Sequence, residues 1–129
     1  MTATTGRPPL HGLRVLIVED EGLLALLLED MLDDLGCTVA GTAATVAAAI
    51  DAIPKVDAGA AILDIKLGDD KSYAVAEALA AHGVPFVFAT GYGDIQLEPP
   101  WQDRPVLQKP FAQKQLADLL GRIICAPPR

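Results

Sequence analysis

The chain has 129 residues, of which 51% are hydrophobic and 21% are charged, and its formal net charge is −7. The length suits one domain, since domains most often hold roughly 100–150 residues, and the composition excludes a disordered chain. The acidic balance argues against direct nucleic-acid binding, which needs clustered Lys and Arg. No apolar run reaches the ~20 residues of a membrane span, and residues 1–11 lack the apolar stretch of a signal peptide. We therefore expect a cytoplasmic protein without membrane insertion.

Apolar runs alternate with helical patterns along the chain. A flexible N-terminal tail over residues 1–12 precedes a continuous run rich in β-branched residues, which is typical of a strand buried on both faces. The leucine stripe between Leu23 and Leu35 predicts a helix whose leucines lie in the core. The second helix is expected to end before Pro54. In chain order, the predicted strands are 14–18, 38–41, 60–63, 85–89 and 105–108, and the predicted helices are 23–35, 43–53, 72–81 and 113–125.

This alternation predicts the fold class. Strands joined through helices make right-handed crossovers, and the parallel sheet that results is covered on both faces. We therefore expect an α/β fold with a doubly wound, five-stranded parallel sheet over residues 13–125. Residues 126–129 are expected to form a short C-terminal tail.

Polar residues follow four of the predicted strands at the points where these strands end. Glu19 and Asp20 follow the first strand, Asp64 the third, Thr90 the fourth and Lys109 the fifth. In open parallel sheets, ligands bind beyond these ends. A carboxylate that directly follows a buried strand is costly to ionise, and neighbouring acids raise that cost, unless a cation binds them. Oxygen ligands favour Mg²⁺, while an ammonium and a hydroxyl suit an anion. The set therefore predicts a Mg²⁺-assisted phosphoryl acceptor with a carboxylate nucleophile.

These strand-end residues, in this order, resemble the receiver domain of two-component response regulators, a CheY-like domain of the flavodoxin-like kind. The resemblance covers about residues 13–125, and each motif alone is weaker than the ordered combination. The motifs that carry it are Val18-Glu19-Asp20-Glu21, Asp64, Thr90 and Lys109-Pro110-Phe111. The stretch Phe88-Ala89-Thr90-Gly91-Tyr92 is also similar to the signature of an alphaproteobacterial receiver subfamily often called FAT GUY.

The resemblance implies an acceptor and a metal site. Asp64 is the expected phosphoacceptor, which would form an aspartyl phosphate. Mg²⁺, with Mn²⁺ as an alternative, would be bound by Asp20 and Asp64. Glu19 would bind the metal through water, and Lys66 would bind it through its backbone carbonyl.

The same resemblance implies a phosphate-binding and switching set. Lys109 would pair with the phosphoryl oxygens, and Thr90 would donate to them and move on activation. The peptide between Lys109 and Pro110 would be cis, a state that proline adopts at low cost. Gly91 and Tyr92 belong to the expected switch surface, within a change around residues 90–109. Because segment 91–104 contains glycines and a proline pair, its local stability is expected to be low.

The chain departs from the commoner receiver pattern at three places. After Asp64 it has Ile65-Lys66-Leu67-Gly68 rather than the frequent Met-Pro ending, and Gly68 can supply the turn into the next helix. Glu19 stands where the first aspartate of the acidic pair is usual, and its longer arm should still support a water-mediated contact to the metal. Val106 stands where many receivers have an aromatic side chain that swings inward with the threonine. The FAT GUY subfamily also lacks that aromatic residue, so this departure agrees with the subfamily resemblance.

We therefore expect a stand-alone receiver rather than an enzyme, whose only chemistry is the formation and loss of its own aspartyl phosphate. The donor would be a sensor histidine kinase, with the HWE/HisKA-2 type as a candidate, or a histidine phosphotransfer protein. Output would pass to a downstream protein partner that the sequence does not name. Two alternatives stay open, a phosphorylation-independent scaffold with the receiver fold and a phosphate sink. A haloacid-dehalogenase-like phosphohydrolase is disfavoured, because Lys66 stands where such enzymes need a second aspartate.

Overall fold

The apolar runs of the sequence form the strands of one central sheet in the computed structural model, which describes residues 10–91 and 97–125. In chain order the elements are β1 (Arg14–Val18), α1 (Gly22–Asp34), β2 (Thr38–Ala43), α2 (Val46–Val56), β3 (Ala60–Asp64), β4 (Lys66–Leu67), β5 (Asp70–Lys71), α3 (Tyr73–Ala81), β6 (Phe86–Thr90), β7 (Val106–Gln108) and α4 (Gln113–Cys125). Within the described residues, no helix is long and apolar enough to cross a membrane.

The central sheet has five strands in the order β2-β1-β3-β6-β7, and every neighbouring pair is parallel. The chain first moves outward from β1 to β2 and then returns to the other side of β1 to add β3, β6 and β7. The strand order therefore reverses between β1 and β3, and ligand sites of open α/β sheets lie beyond the carboxyl ends of such strands.

Both faces of the sheet are covered, which confirms the predicted doubly wound class. Alternate residues of β1 enter different core clusters, with Val15 and Ile17 in one and Leu16 and Val18 in the other. The first cluster includes buried residues of α1 and α4, whereas the second includes buried residues of α2 and α3. Continuous apolar strands are expected when helices cover both faces of a parallel sheet.

Helix α2 begins and ends later than the sequence predicted. Ala43 belongs to β2, and Thr45 is the N-cap, whose side chain accepts a hydrogen bond from the N–H of Ala48 at 3.1 Å. Pro54 lies inside the last turn of the helix. A proline there removes only one helical hydrogen bond. The guanidinium of Arg14 donates to the carbonyls of Val56 and Asp57, so it satisfies backbone groups at the helix end.

A small hairpin after β3 was not predicted. Lys66 and Leu67 pair antiparallel with Lys71 and Asp70, and Gly68 in the turn has a φ of +61°. A positive φ is a backbone conformation that glycine adopts without strain. We call residues 66–71 the β4–β5 hairpin.

The packed chain starts before the predicted boundary at residue 13. The Leu10 side chain is buried in the cluster that contains α1 and α4. The Cys37 thiol donates to the Leu10 carbonyl at 3.5 Å, and the Gly12 N–H donates to the Gly36 carbonyl at 2.7 Å. Residues 1–9 and 126–129 lie outside the described residues, so flexible tails there stay predictions.

Candidate functional site

The predicted site residues meet at the carboxyl edge of the sheet. Residues that follow or end β1, β3, β6 and β7 surround a cleft of about 430 Å³. The reversal of strand order beside β1 opens this cleft, so the topology accounts for its position. Its lining residues are Asp20, Glu21, Leu24, Asp64, Lys66, Gly68, Gly91 and Lys109.

Lys109 joins two carboxylates at this edge. Its Nζ lies 2.7 Å from Glu19 Oε1 and 3.0 Å from Asp64 Oδ2. The three side chains are only 14%, 2% and 12% exposed, respectively. At such distances and burial, the ammonium and the carboxylates depend on each other for compensation of charge.

Burial and charge together set the protonation behaviour of the cluster. Burial raises the pKa of Glu19 above its usual value, against the hydrogen bonds from Lys109 and from the Glu21 N–H. Burial alone would lower the pKa of Lys109, but its hydrogen bonds to Glu19 and Asp64 prevail and raise that pKa. Three carboxylates, those of Glu19, Asp20 and Asp64, against one ammonium leave a formal charge of −2. This excess favours uptake of a proton or a cation.

Backbone N–H groups orient the acidic side chains. The Glu21 N–H donates to Glu19 Oε2 at 3.2 Å, and the Lys66 N–H donates to Asp64 Oδ1 at 3.2 Å. The Gly68 N–H donates to Asp20 Oδ2 at 2.9 Å. Glu19 thus has both oxygens engaged, one by Lys109 and one by backbone.

The acidic group fits a divalent cation. Glu19, Asp20 and Asp64 each offer a carboxylate oxygen, and these oxygens lie within 4.8 Å of one another. Carboxylate oxygens are the ligands that hard cations such as Mg²⁺ prefer. The formal charge of −2 that Lys109 leaves uncompensated equals the charge such an ion would neutralise. The donor set and its charge therefore both suit Mg²⁺.

Thr90 and Lys109 are held side by side at the ends of β6 and β7. Thr90 is buried, and its carbonyl accepts the Lys109 N–H at 2.7 Å. The peptide between Lys109 and Pro110 is cis, and Gly91 lines the cleft. Tyr92, the other predicted residue of the switch surface, lies outside the described residues.

Aromatic packing near the site comes from residues other than position 106. Val106 lies on the edge strand β7 and is 38% exposed. Trp101 is buried instead, with its ring centroid 5.8 Å from that of Phe86 and 6.5 Å from that of Phe88. Arg104 stacks on the Phe86 and Trp101 rings, at 4.8 and 5.3 Å from their centroids.

The contacts by which Ser72 and Gly68 hold the acceptor region were not predicted from the sequence. Ser72 is fully buried, and its Oγ contacts the carbonyls of Asp64 and Ile65. Gly68 supplies the N–H that binds Asp20. A serine directly before a helical pattern signals an N-cap, but nothing in the sequence shows that it faces back toward a strand end.

The leucine stripe of α1 is only partly in the core, which corrects the prediction. Leu28 and Leu32 are buried, whereas Leu23 and Leu27 are 76% and 47% exposed. Leu26, which the stripe did not include, is 58% exposed. These three exposed leucines are spaced i, i+3 and i+4, so they share one face of the helix. We call them the α1 leucine face.

Comparisons with known proteins agree with this geometry. The family model described as "Response regulator receiver domain" matches residues 15–120. SdrG from Sphingomonas melonis Fr1 is 48% identical, with a TM-score of 0.78, and the match covers 88% of this chain and 97% of SdrG. A BeF3-activated conformation of SdrG from Pseudomonas melonis Fr1 is 49% identical with a TM-score of 0.75, over 86% of this chain and 95% of that one.

A second relative is the receiver domain of the PhyR response regulator from Erythrobacter litoralis. It is 30% identical with a TM-score of 0.75, over 92% of this chain and 97% of that domain. A search of curated proteins found no match. The matched family model, the parallel sheet and the acidic strand ends agree. The chain belongs to the response regulator receiver domain family, the phosphoacceptor signalling domains of two-component systems.

Proposed function

We propose that this receiver accepts a phosphoryl group on Asp64 in a Mg²⁺-dependent reaction. The observation that carries the proposal is the placement of the Asp64 carboxylate within a group of three acids, with Lys109 Nζ 3.0 Å from its Oδ2. A carboxylate flanked by a cation and by metal-binding oxygens can act as a nucleophile toward phosphorus.

The chain's own residues divide the work of that transfer. An oxygen of Asp64 attacks the phosphorus, the bond from phosphorus to the donor atom breaks, and its electron pair leaves with the donor. Lys109 balances negative charge on the phosphoryl oxygens, and Thr90 donates a hydrogen bond to them. Asp20, Asp64, the Lys66 carbonyl and, through water, Glu19 would hold Mg²⁺. When bound, Mg²⁺ supplies charge stabilisation of the transferred group.

We expect Mg²⁺ to stabilise the folded receiver. The excess negative charge of the cluster is present in the folded chain, so a cation that binds there raises the free energy of unfolding. A free Mg²⁺ concentration ten times the Kd should add about 1.4 kcal/mol. Urea unfolding with and without Mg²⁺ measures the gain. Asp20→Asn should remove most of it, and Asp51→Asn, at an exposed acid on α2, should not. An equal gain in Asp20→Asn would contradict the assignment of Asp20 as a metal ligand.

The donor in this proposal is a sensor histidine kinase or a histidine phosphotransfer protein, with the HWE/HisKA-2 kinase type as a candidate. The α1 leucine face supports a protein as the donor. Leu24 and Glu21, at the start of α1, line the cleft, so a protein that brings a histidine to Asp64 covers this end of the helix. The neighbouring exposed leucines give such a donor apolar surface to bury.

We expect Leu26→Asp to slow phosphotransfer from a protein donor. Leu26 is 58% exposed, so its replacement leaves the core intact, while a buried charge at the docking surface weakens association. The donor in this test is a histidine kinase that phosphorylates the wild type. The rate of phosphotransfer from this kinase to Leu26→Asp should be about tenfold lower, which is the usual effect of losing one important docking residue. Phosphorylation by acetyl phosphate, which needs no docking, should be unchanged. Ile50→Asp, at an exposed apolar residue of α2, is the matched control. An unchanged kinase rate in Leu26→Asp would exclude this face as the docking site.

Intact-mass spectrometry after incubation with acetyl phosphate tests the proposed function. With Mg²⁺ the wild type should gain the mass of one phosphoryl group, and chelation of the metal should prevent the gain. Failure to gain mass with acetyl phosphate, together with no spectroscopic response to beryllofluoride, would favour a phosphorylation-independent scaffold. Output in this proposal is a surface change around residues 90–109, which follows engagement of Thr90.

A further inference from the structure

The β4–β5 hairpin lies between the acidic cleft and a second part of the molecule. On the cleft side, the Gly68 N–H in its turn donates to Asp20 Oδ2 at 2.9 Å. The Lys66 N–H at its start donates to Asp64 Oδ1 at 3.2 Å. Two of the three acidic side chains are thus bonded directly to the hairpin backbone, so a change in either carboxylate acts on it.

The other side of the hairpin is bonded to Glu98. Lys71 Nζ, at the end of β5, lies 3.1 Å from Glu98 Oε2. Tyr73, two residues later, accepts the Glu98 N–H on its hydroxyl oxygen at 3.1 Å. Both a side-chain atom and a backbone atom of Glu98 are therefore held by the chain that leaves the hairpin.

Glu98 belongs to residues 97–104, which we call the 97–104 segment. The segment is anchored by Leu97 and Trp101, both buried in the cluster that contains α2 and α3. Trp101 packs on Phe86 and Phe88 of β6, and Tyr73 also packs on Phe88, at 6.1 Å between ring centroids. A movement of the hairpin that shifts Tyr73, at the start of α3, therefore reaches the segment through Glu98 and through shared ring contacts.

The two ends of this connection differ in strength. At the base of the hairpin, Ser72 is fully buried and contacts the carbonyls of Asp64 and Ile65. At the far end, the Lys71 and Glu98 side chains are 64% and 54% exposed. An exposed ion pair contributes little to stability, so it can form and break without unfolding the domain. The firmly held contacts thus lie near the acceptor, at Ser72. The contact that can break is the exposed ion pair between Lys71 and Glu98.

We propose that the β4–β5 hairpin transmits the state of the Asp20–Asp64 cleft to the 97–104 segment through Lys71, Tyr73 and Glu98. Occupation of the cleft redistributes the hydrogen bonds of Asp20 and Asp64 to the hairpin, and the contacts to Glu98 respond. The contacts that carry this route, at Gly68, Lys71, Tyr73 and Glu98, include neither Thr90 nor Val106. It rests on the proposed function, because it needs the cleft to take up a metal and a phosphoryl group.

Trp101 gives a direct readout, because it is the single tryptophan of the chain and lies in the responding segment. Beryllofluoride with Mg²⁺ is titrated into the wild type and into a Lys71→Met, Tyr73→Phe double variant, which removes the two bonds to Glu98 and keeps the packed ring. Trp101 emission reports the segment, and the amide signals of the hairpin and of Asp64 report the cleft. In the double variant the amides should respond at the same beryllofluoride midpoint, while the emission change should fall about threefold.

The outcomes separate this inference from the proposed function. A full Trp101 response in the double variant, with a normal response of the cleft amides, would overturn the hairpin route alone. If the amide signals of the hairpin and of Asp64 do not change with beryllofluoride in the wild type, the proposed function is overturned, and this inference with it. Lys55→Met is the matched control, since it removes another exposed ion pair, to Asp51 at 3.0 Å. It should leave the emission change intact.

Discussion

Asp64→Asn should abolish phosphoryl acceptance while the domain stays folded. Asparagine keeps the shape of the side chain and can still accept the Lys66 N–H, but an amide oxygen is not a nucleophile toward phosphorus. The change also removes one negative charge from the cluster, and Glu19 remains as a partner for Lys109. We therefore expect no mass gain from acetyl phosphate and an unchanged far-ultraviolet circular dichroism spectrum.

Two comparisons make this result specific to the acceptor. Asp69→Asn changes an exposed acid in the turn of the β4–β5 hairpin and should leave the mass gain intact. Asp20→Asn should lower the rate through loss of a metal ligand, but the phosphoryl group should still map to Asp64. Persistent labelling of Asp64→Asn at the wild-type rate would show that another carboxylate is the acceptor.

Lys109→Met should cost about 3 kcal/mol in the free energy of unfolding without metal, because it leaves a buried carboxylate unpaired. Glu19 is only 2% exposed, and Lys109 is its one ion-pair partner among the described residues. The loss should be largest at neutral pH and should shrink as pH falls. The pKa of Glu19 is already raised by burial, so the folded state takes up a proton there before the unfolded chain does.

Urea unfolding at several pH values measures this effect. Lys55→Met is the control, since its ion pair with Asp51 is exposed and should be worth less than about 1 kcal/mol. Glu19→Gln in the Lys109→Met background should recover most of the loss, because it removes the unpaired charge. A loss that Glu19→Gln does not recover, or that is independent of pH, would mean that packing rather than charge accounts for the cost.

The fold could be predicted because its strands are continuous apolar runs separated by helical patterns. Val15 to Val18 has no polar residue, so burial on both faces follows directly. The hairpin could not be predicted, because two-residue strands such as Lys66–Leu67 have no periodicity to detect. The α1 leucines were misassigned for a related reason. Apolar residues run around much of that helix, so spacing alone does not show which of them the sheet covers.

The site could be predicted from strand ends, but not its internal bonding. That Glu19 and Lys109 lie at one edge follows from parallel topology, although 90 residues separate them. Their contact at 2.7 Å depends on the length of the glutamate arm and on the backbone N–H that holds its other oxygen. The burial of Trp101 could not be predicted either, because it depends on contacts with Phe86 and Phe88 of β6.

The sheet separates the two surfaces that we propose for donor docking and for output. Helix α1 packs on one face, with α4, while Leu97 and Trp101 belong to the cluster on the opposite face, with α2 and α3. A donor bound to α1 and an output partner bound to the 97–104 segment would therefore not compete for the same surface. We therefore expect that an output partner could bind while the donor is still in place.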